Sequence, residues 1–96
     1  MKETKRDEVE QKIANGETIN IIDVREADEL KAKKMAGVKH IPIGEIPNRL
    51  NEFKKDESYY IVCERGNRSG EVTKYLEERG YEATNITDGM IGWEEE

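Results

Sequence analysis

Apolar residues fall into short runs and turn-spaced sets separated by charged stretches, a pattern that predicts small strands alternating with helices. Val9 and Ile13 lie one turn apart in a segment ending near Asn15-Gly16, and Thr4 with Asp7 three residues on predicts the cap that starts this helix. Ile19-Asn20-Ile21-Ile22-Asp23-Val24 is largely apolar and β-branched, as a buried strand requires. From about Glu26 to Lys34 the acids come first and the lysines last, the order a helix dipole favours. Val38-Lys39-His40-Ile41 predicts a short strand stopped by Pro42.

Ile46, Leu50 and Phe53 keep the spacing of an amphipathic helix, with Pro47 suited to its first turn. A strand over Tyr59 to Val62 follows the polar Lys54-Lys55-Asp56-Glu57-Ser58 link. The next helix runs from about Arg68 to Arg79, presents Val72, Tyr75 and Leu76 on one face and stops at Gly80. Glu82 to Ile86 predicts a last strand, and Gly89 to Trp93 a final turn or short helix. Strands alternating with helices point to a small three-layer α/β fold with a mostly parallel central sheet flanked by helices.

Length and composition narrow this picture. The 96 residues suit one domain with a single core, and no linker, repeat or low-complexity block divides them. Only 34% of residues are hydrophobic and 40% are charged, yet the apolar ones are grouped rather than scattered, which favours a heavily solvated globule over disorder. The net charge of -6 argues against a general nucleic-acid or anionic-membrane binder, since both need a positive surface. No apolar stretch approaches the roughly 18 residues of a membrane helix, and nothing resembles a secretory core near Met1-Lys2-Glu3. With one cysteine and no internal disulfide possible, the expectation is a cytoplasmic protein.

That cysteine, Cys63, ends the Tyr59-Tyr60-Ile61-Val62 run and opens the turn Glu64-Arg65-Gly66-Asn67-Arg68-Ser69. A lone cysteine after an apolar strand is often a small core hydrophobe. Gly66 and two arginines within five positions would be an odd continuation of a core strand, and they favour a reactive sulfur instead. A strand that delivers sulfur into a tight loop before a helix sets it among backbone N–H groups at the positive end of the helix dipole. Open parallel sheets bind ligands outside the carboxyl ends of their strands, and Cys63 occupies such an end.

Cys63-Glu64-Arg65-Gly66-Asn67-Arg68-Ser69 resembles the Cys-x-x-Gly-x-Arg-Ser/Thr loop of the rhodanese family of sulfurtransferases. Ile22-Asp23-Val24-Arg25-Glu26 is similar to that family's early Asp-Val-Arg strand end, and Asp88-Gly89-Met90-Ile91-Gly92-Trp93 to its late Gly-Met-x-x-Trp segment. The resemblance runs from about Val9 to Trp93. One departure is that the family's usual histidine before the second strand is, by register, Lys34 here, while His40 falls inside the strand.

The resemblance implies a rhodanese-like fold and a sulfurtransferase in which Cys63 takes the outer sulfur of an anionic donor, such as thiosulfate or a polysulfide. The resulting persulfide then yields that sulfur to cyanide or a thiol, including that of a sulfur-relay protein. It makes Cys63 the catalytic residue and Glu64, Arg65, Gly66, Asn67, Arg68 and Ser69 the donor-binding loop, with no cofactor or metal. Arg68 matches the family's loop arginine and is expected to hold the loop's shape. Arg65 either orients the donor or is an ordinary solvated charge.

Asp23 and Arg25 read as structural support, one accepting hydrogen bonds near the loop and the other ion-paired. Trp93 reads as core or rim packing. His40, the lone histidine, has no second ligand to make a metal site. Two alternatives stay open: a sulfur-carrier or partner-binding module with little thiosulfate turnover, and a cysteine-dependent phosphatase or arsenate reductase. The latter resemble Cys-x5-Arg, whereas four residues separate Cys63 from Arg68.

Overall fold

The two most apolar runs lie side by side at the centre of a five-stranded sheet. A computed structural model of the chain describes residues 1–31, 34–35 and 37–91. In chain order the elements are β1 (Lys2–Thr4), α1 (Arg6–Ala14), β2 (Asn20–Asp23), α2 (Ala27–Leu30), β3 (Lys39–His40), β4 (Ser58–Val62), α3 (Asn67–Glu78) and β5 (Glu82–Ile86). Two 3-10 turns, Ile43–Glu45 and Pro47–Glu52, bridge β3 and β4. The strand order is β1-β5-β4-β2-β3 and every pair is parallel.

The period of two along the strands sorts the core into two layers. Ile22, Tyr59, Ile61 and Ala83 face α3 and the 3-10 turns, where they meet Ile46, Phe53, Val72 and Leu76. Ile21, Val62 and Ile86 point the other way, toward Val9 of α1 and Met90. Both faces of the sheet are therefore covered, as parallel sheets require. No helix among the described residues is long and apolar enough to cross a membrane.

Three sequence expectations differ in detail. Thr4 does not cap α1. It belongs to the edge strand β1, paired with Ile86, and its carbonyl accepts the Thr87 N–H at 3.0 Å. The cap comes from across the fold: Asp88 Oδ1 accepts the Arg6 N–H at 2.8 Å. A partner remote in sequence thus satisfies a helix-end donor that the local hydroxyl leaves open.

The segment around Ile46, Leu50 and Phe53 buries the expected side chains but winds as 3-10 rather than α. Arg49 leaves helical geometry at φ −122°, and Phe53 is extended. Phe53 packs edge-on against Tyr59 with ring centroids 4.8 Å apart, and the Lys54 N–H donates to the Tyr59 hydroxyl at 2.7 Å. These contacts draw the chain out of the helix toward β4. The helix expected from about Glu26 to Lys34 is a single turn, Ala27–Leu30, among the described residues. Trp93, like Lys33 and Ala36, lies outside them.

Candidate functional site

The carboxyl ends of β2 and β4 bring the predicted residues together. Cys63 follows β4 directly, is 1% exposed and lines a cleft of about 240 Å³. Glu29, Glu64, Arg65, Asn67 and Arg68 form the rest of the lining. Gly66 is the N-cap residue of α3, in the left-handed region at φ +94°, and brings no side-chain cap.

The cysteine sulfur supplies the missing acceptor. Sγ lies 3.1 Å from the Gly66 nitrogen and 3.3 Å from that of Ser69, so two N–H groups at the start of α3 point at it. Negative charge developing on this sulfur meets both donors and the positive end of the helix dipole.

Glycine is required at two points here. A Cβ on Gly66 would lie 2.3 Å from the Thr87 carbonyl oxygen, and one on Gly89 would lie 2.4 Å from that of Glu64 and 2.6 Å from that of Cys63. Gly89 can approach so closely because the chain at 89–91 docks under the loop. The Met90 N–H is shared by the Cys63 and Glu64 carbonyls at 2.8 and 2.9 Å, and the Ile91 N–H donates to Glu64 at 3.0 Å. The Gly-Met part of the late motif is thus a floor for the sulfur loop.

The charged residues divide into those held in pairs and one that is not. Arg68 donates two hydrogen bonds to Glu29, at 2.6 and 2.7 Å, which ties α2 to the start of α3 across the cleft. This bidentate contact holds the Glu29 carboxyl down at about 2 and raises Arg68. Glu29 also accepts the Glu26 N–H at 2.9 Å, within the capping box that starts α2.

Asp23 and Arg25 form a buried ion pair, with Nη2 to Oδ2 at 2.9 Å and exposures of 0% and 1%. Arg25 Nη1 also lies 3.6 Å from Glu64 Oε1. His40 Nε2 donates to the Arg25 carbonyl at 2.6 Å, so the lone histidine serves this support rather than the sulfur. Arg65 is exposed, and among the described residues it is the one cation of the cleft without an ion-pair partner.

Two residues of the predicted donor-binding loop address the sulfur rather than the cleft opening. Ser69 is fully buried, and its Oγ lies 3.2 Å from Cys63 Sγ; the buried Gly66 offers its N–H. Sequence reasoning missed Asn85 on β5. Its Oδ1 accepts the Ser69 hydroxyl at 2.5 Å, and its Nδ2 donates to the Gly66 carbonyl at 3.1 Å. The signal was an amide in register with Ala83, where the strand alternation calls for an apolar side chain. Glu29 was also missed, although a glutamate at N3 of a short helix is a capping signature.

Comparison with known proteins gives a consistent picture. A model of the rhodanese-like domain family matches residues 5–96. YtwF of Bacillus subtilis, provisionally named a sulfurtransferase, is 36% identical over 96 residues, covering 100% of this chain and 93% of its own. YrkF of the same organism, provisionally named a sulfur carrier protein, is 37% identical over 84 residues, which are 86% of this chain and 45% of YrkF. A rhodanese-like domain protein from Staphylococcus aureus has a crystal structure that superposes with a TM-score of 0.94 at 41% identity. The match covers 100% of this chain and 94% of that one.

Proposed function

Because the chain belongs to the rhodanese-like domain family, we propose that it is a sulfurtransferase that carries sulfane sulfur as a persulfide on Cys63. The observation that carries this reading is the sulfur itself, on a residue that lines the cleft, with the Gly66 and Ser69 N–H groups aimed at it. In the first step the Cys63 thiolate attacks the outer sulfur of the donor. The new S–S bond forms as the donor's own bond to that sulfur breaks, and the leaving group departs with the electron pair. Thiosulfate releases sulfite, and a persulfide or polysulfide releases a thiolate or a shorter polysulfide.

In the second step a nucleophile, cyanide or a thiol, attacks the outer sulfur of the Cys63 persulfide and restores the thiolate. This is covalent catalysis by two displacements. Both leaving groups are stable anions, so no side-chain acid is needed. The two N–H donors stabilise charge on the sulfur throughout, and Arg65 is the cation available to an incoming anion. A chain whose only cysteine is this reactive one suits the reducing cytoplasm.

The second reading, a carrier fed by another protein's persulfide, draws support from the charges of the cleft. Glu29 and Glu64 offset Arg65 and Arg68, and Arg68 is already bound to Glu29, so a small dianion gains little attraction there. Intact mass before and after thiosulfate, on wild type and Cys63→Ala, tests the proposal. One added sulfur on wild type alone, removed by cyanide as thiocyanate, is the expected result. Persulfide formed from a polysulfide but barely from thiosulfate favours the carrier, and no adduct from either donor refutes both readings.

A further inference from the structure

We propose that Asn85 is a positioning residue that governs the ionisation of the Cys63 sulfur, acting through the single proton of the Ser69 hydroxyl. The inference rests on the reading of Cys63 as the reactive sulfur. Its starting point is the orientation of the amide. Asn85 faces the Gly66 carbonyl with one end, 3.1 Å away, and that end must be the NH2 group because a carbonyl only accepts. The Oδ1 end is therefore committed to Ser69, 2.5 Å away.

The Ser69 oxygen has both Oδ1 and the Cys63 sulfur within reach, yet its hydroxyl carries one proton. While the sulfur is a thiol, the chain S–H to Oγ and O–H to Oδ1 is complete, and each buried polar atom has a partner. When the sulfur ionises, its proton leaves to water. The hydroxyl can then serve the sulfur only by abandoning Oδ1, and Oδ1 cannot turn away because Nδ2 is anchored. Asn85 thus competes with the sulfur for the hydroxyl proton and favours the resting thiol.

The surroundings look built for this arrangement. Asn85 and Ser69 are 4% and 0% exposed. Thr73 Oγ1 donates to the Ser69 carbonyl at 2.7 Å and pins that residue. Gly70, inside α3, leaves room for the amide, since a Cβ there would lie 3.2 Å from Nδ2.

The test is the pH profile of iodoacetamide alkylation, which reads Cys63 alone because the chain has one cysteine. Four proteins are compared: wild type, Asn85→Ala, Ser69→Ala and the double variant, each checked for folding by circular dichroism. The charged groups around the loop are Arg68 on α3, Glu29 on α2, Glu64 and Arg65 in the loop, and the Asp23 and Arg25 pair at the end of β2. All are common to the four, so differences isolate the two substitutions.

Asn85→Ala frees the hydroxyl for the ionised sulfur and should lower the alkylation midpoint by about one pH unit, the shift that one redirected hydrogen bond produces. Ser69→Ala removes at once the acceptor of the thiol S–H and the donor to the ionised sulfur, and it serves as the background with no hydroxyl to redirect. Adding Asn85→Ala to Ser69→Ala should leave the midpoint of that background unmoved. An unchanged or raised midpoint in Asn85→Ala, or an equal drop in both backgrounds, would overturn the proposal in favour of simple loop loosening through Gly66.

Asn85→Leu, close in shape, replaces the alanine variant if that one does not fold. Alkylation does not require sulfur transfer, so a failed persulfide assay with this pattern intact refutes only the sulfurtransferase reading.

Discussion

Replacing Gly89 by alanine puts the seating of the sulfur loop to a quantitative test. The new methyl would lie 2.4 Å from the Glu64 carbonyl oxygen, 2.6 Å from that of Cys63 and 2.6 Å from the Glu64 carbonyl carbon. All three are backbone atoms, so no side chain can swing aside. At φ +60° alanine costs about 1 kcal/mol for the left-handed backbone alone. Forcing the loop away adds about 1–3 kcal/mol of overpacking. Lengthening the Met90 N–H contacts to Cys63 and Glu64 adds about 1 kcal/mol more.

The sum is about 3–5 kcal/mol, a large share of the roughly 5–15 kcal/mol that holds a domain together. Gly16 provides the control, because it has φ +85° but nothing within 4 Å of its Cβ. Gly16→Ala should cost only the backbone contribution, about 1 kcal/mol. Urea unfolding of the two variants beside wild type, followed by circular dichroism, measures both. A loss in Gly89→Ala within about 1 kcal/mol of that in Gly16→Ala would refute the overlap argument.

Two more outcomes follow from the charges. Arg25→Met keeps the bulk but strands the fully buried Asp23 carboxylate, so stability should fall by about 3–5 kcal/mol in urea; a loss below about 1 kcal/mol would mean that water or another donor reaches Asp23. The Glu29 carboxyl titrates at about 2 in the folded chain against 4.5 in the unfolded one, because of its contact with Arg68. Its folded value is depressed, so its stabilisation is complete above pH 4.5 and disappears as pH falls toward 2. Wild type minus Glu29→Gln should therefore shrink across that window, from about 0.5–1 kcal/mol for a partly exposed pair. A difference that stays constant from pH 6 to about 2.5 would remove the ion pair from the account.

Much of the fold was legible because burial follows period. The β-branched runs at Ile21-Ile22 and Ile61-Val62 became the central strands, and the spacing of Val72 and Leu76 became the buried face of α3. The sulfur loop was legible too, since Cys63, Gly66 and Ser69 stand close in sequence and their contacts are local.

What escaped depends on partners remote in the chain. β1 is polar and marked by no apolar pattern; only pairing with β5 makes Lys2–Thr4 a strand. The cap of α1 comes from Asp88, 82 residues away, and Glu29 meets Arg68 across 39 residues. Asn85 could have been singled out as a polar residue in a core register, but its service to Ser69 and Gly66 exists only once β5 lies behind the loop. The 3-10 winding after Pro47 likewise answers to Phe53 and Tyr59 rather than to local propensity.

The docking of residues 89–91 beneath the sulfur loop also bears on when the protein becomes competent during synthesis. Cys63 leaves the ribosome well before Met90, and until Met90 arrives the Cys63 and Glu64 carbonyls lack the N–H that seats them. The first strand waits on the same event. Thr4 is held by Thr87, and Arg6 by Asp88 and Ile91, contacts that close over 82 to 85 residues. Closure over such separations is slow compared with forming a local helix. A nascent chain halted before residue 89 therefore carries a cysteine without its finished setting. The sulfur is armed only once residues 89–91 have been made and have docked beneath its loop.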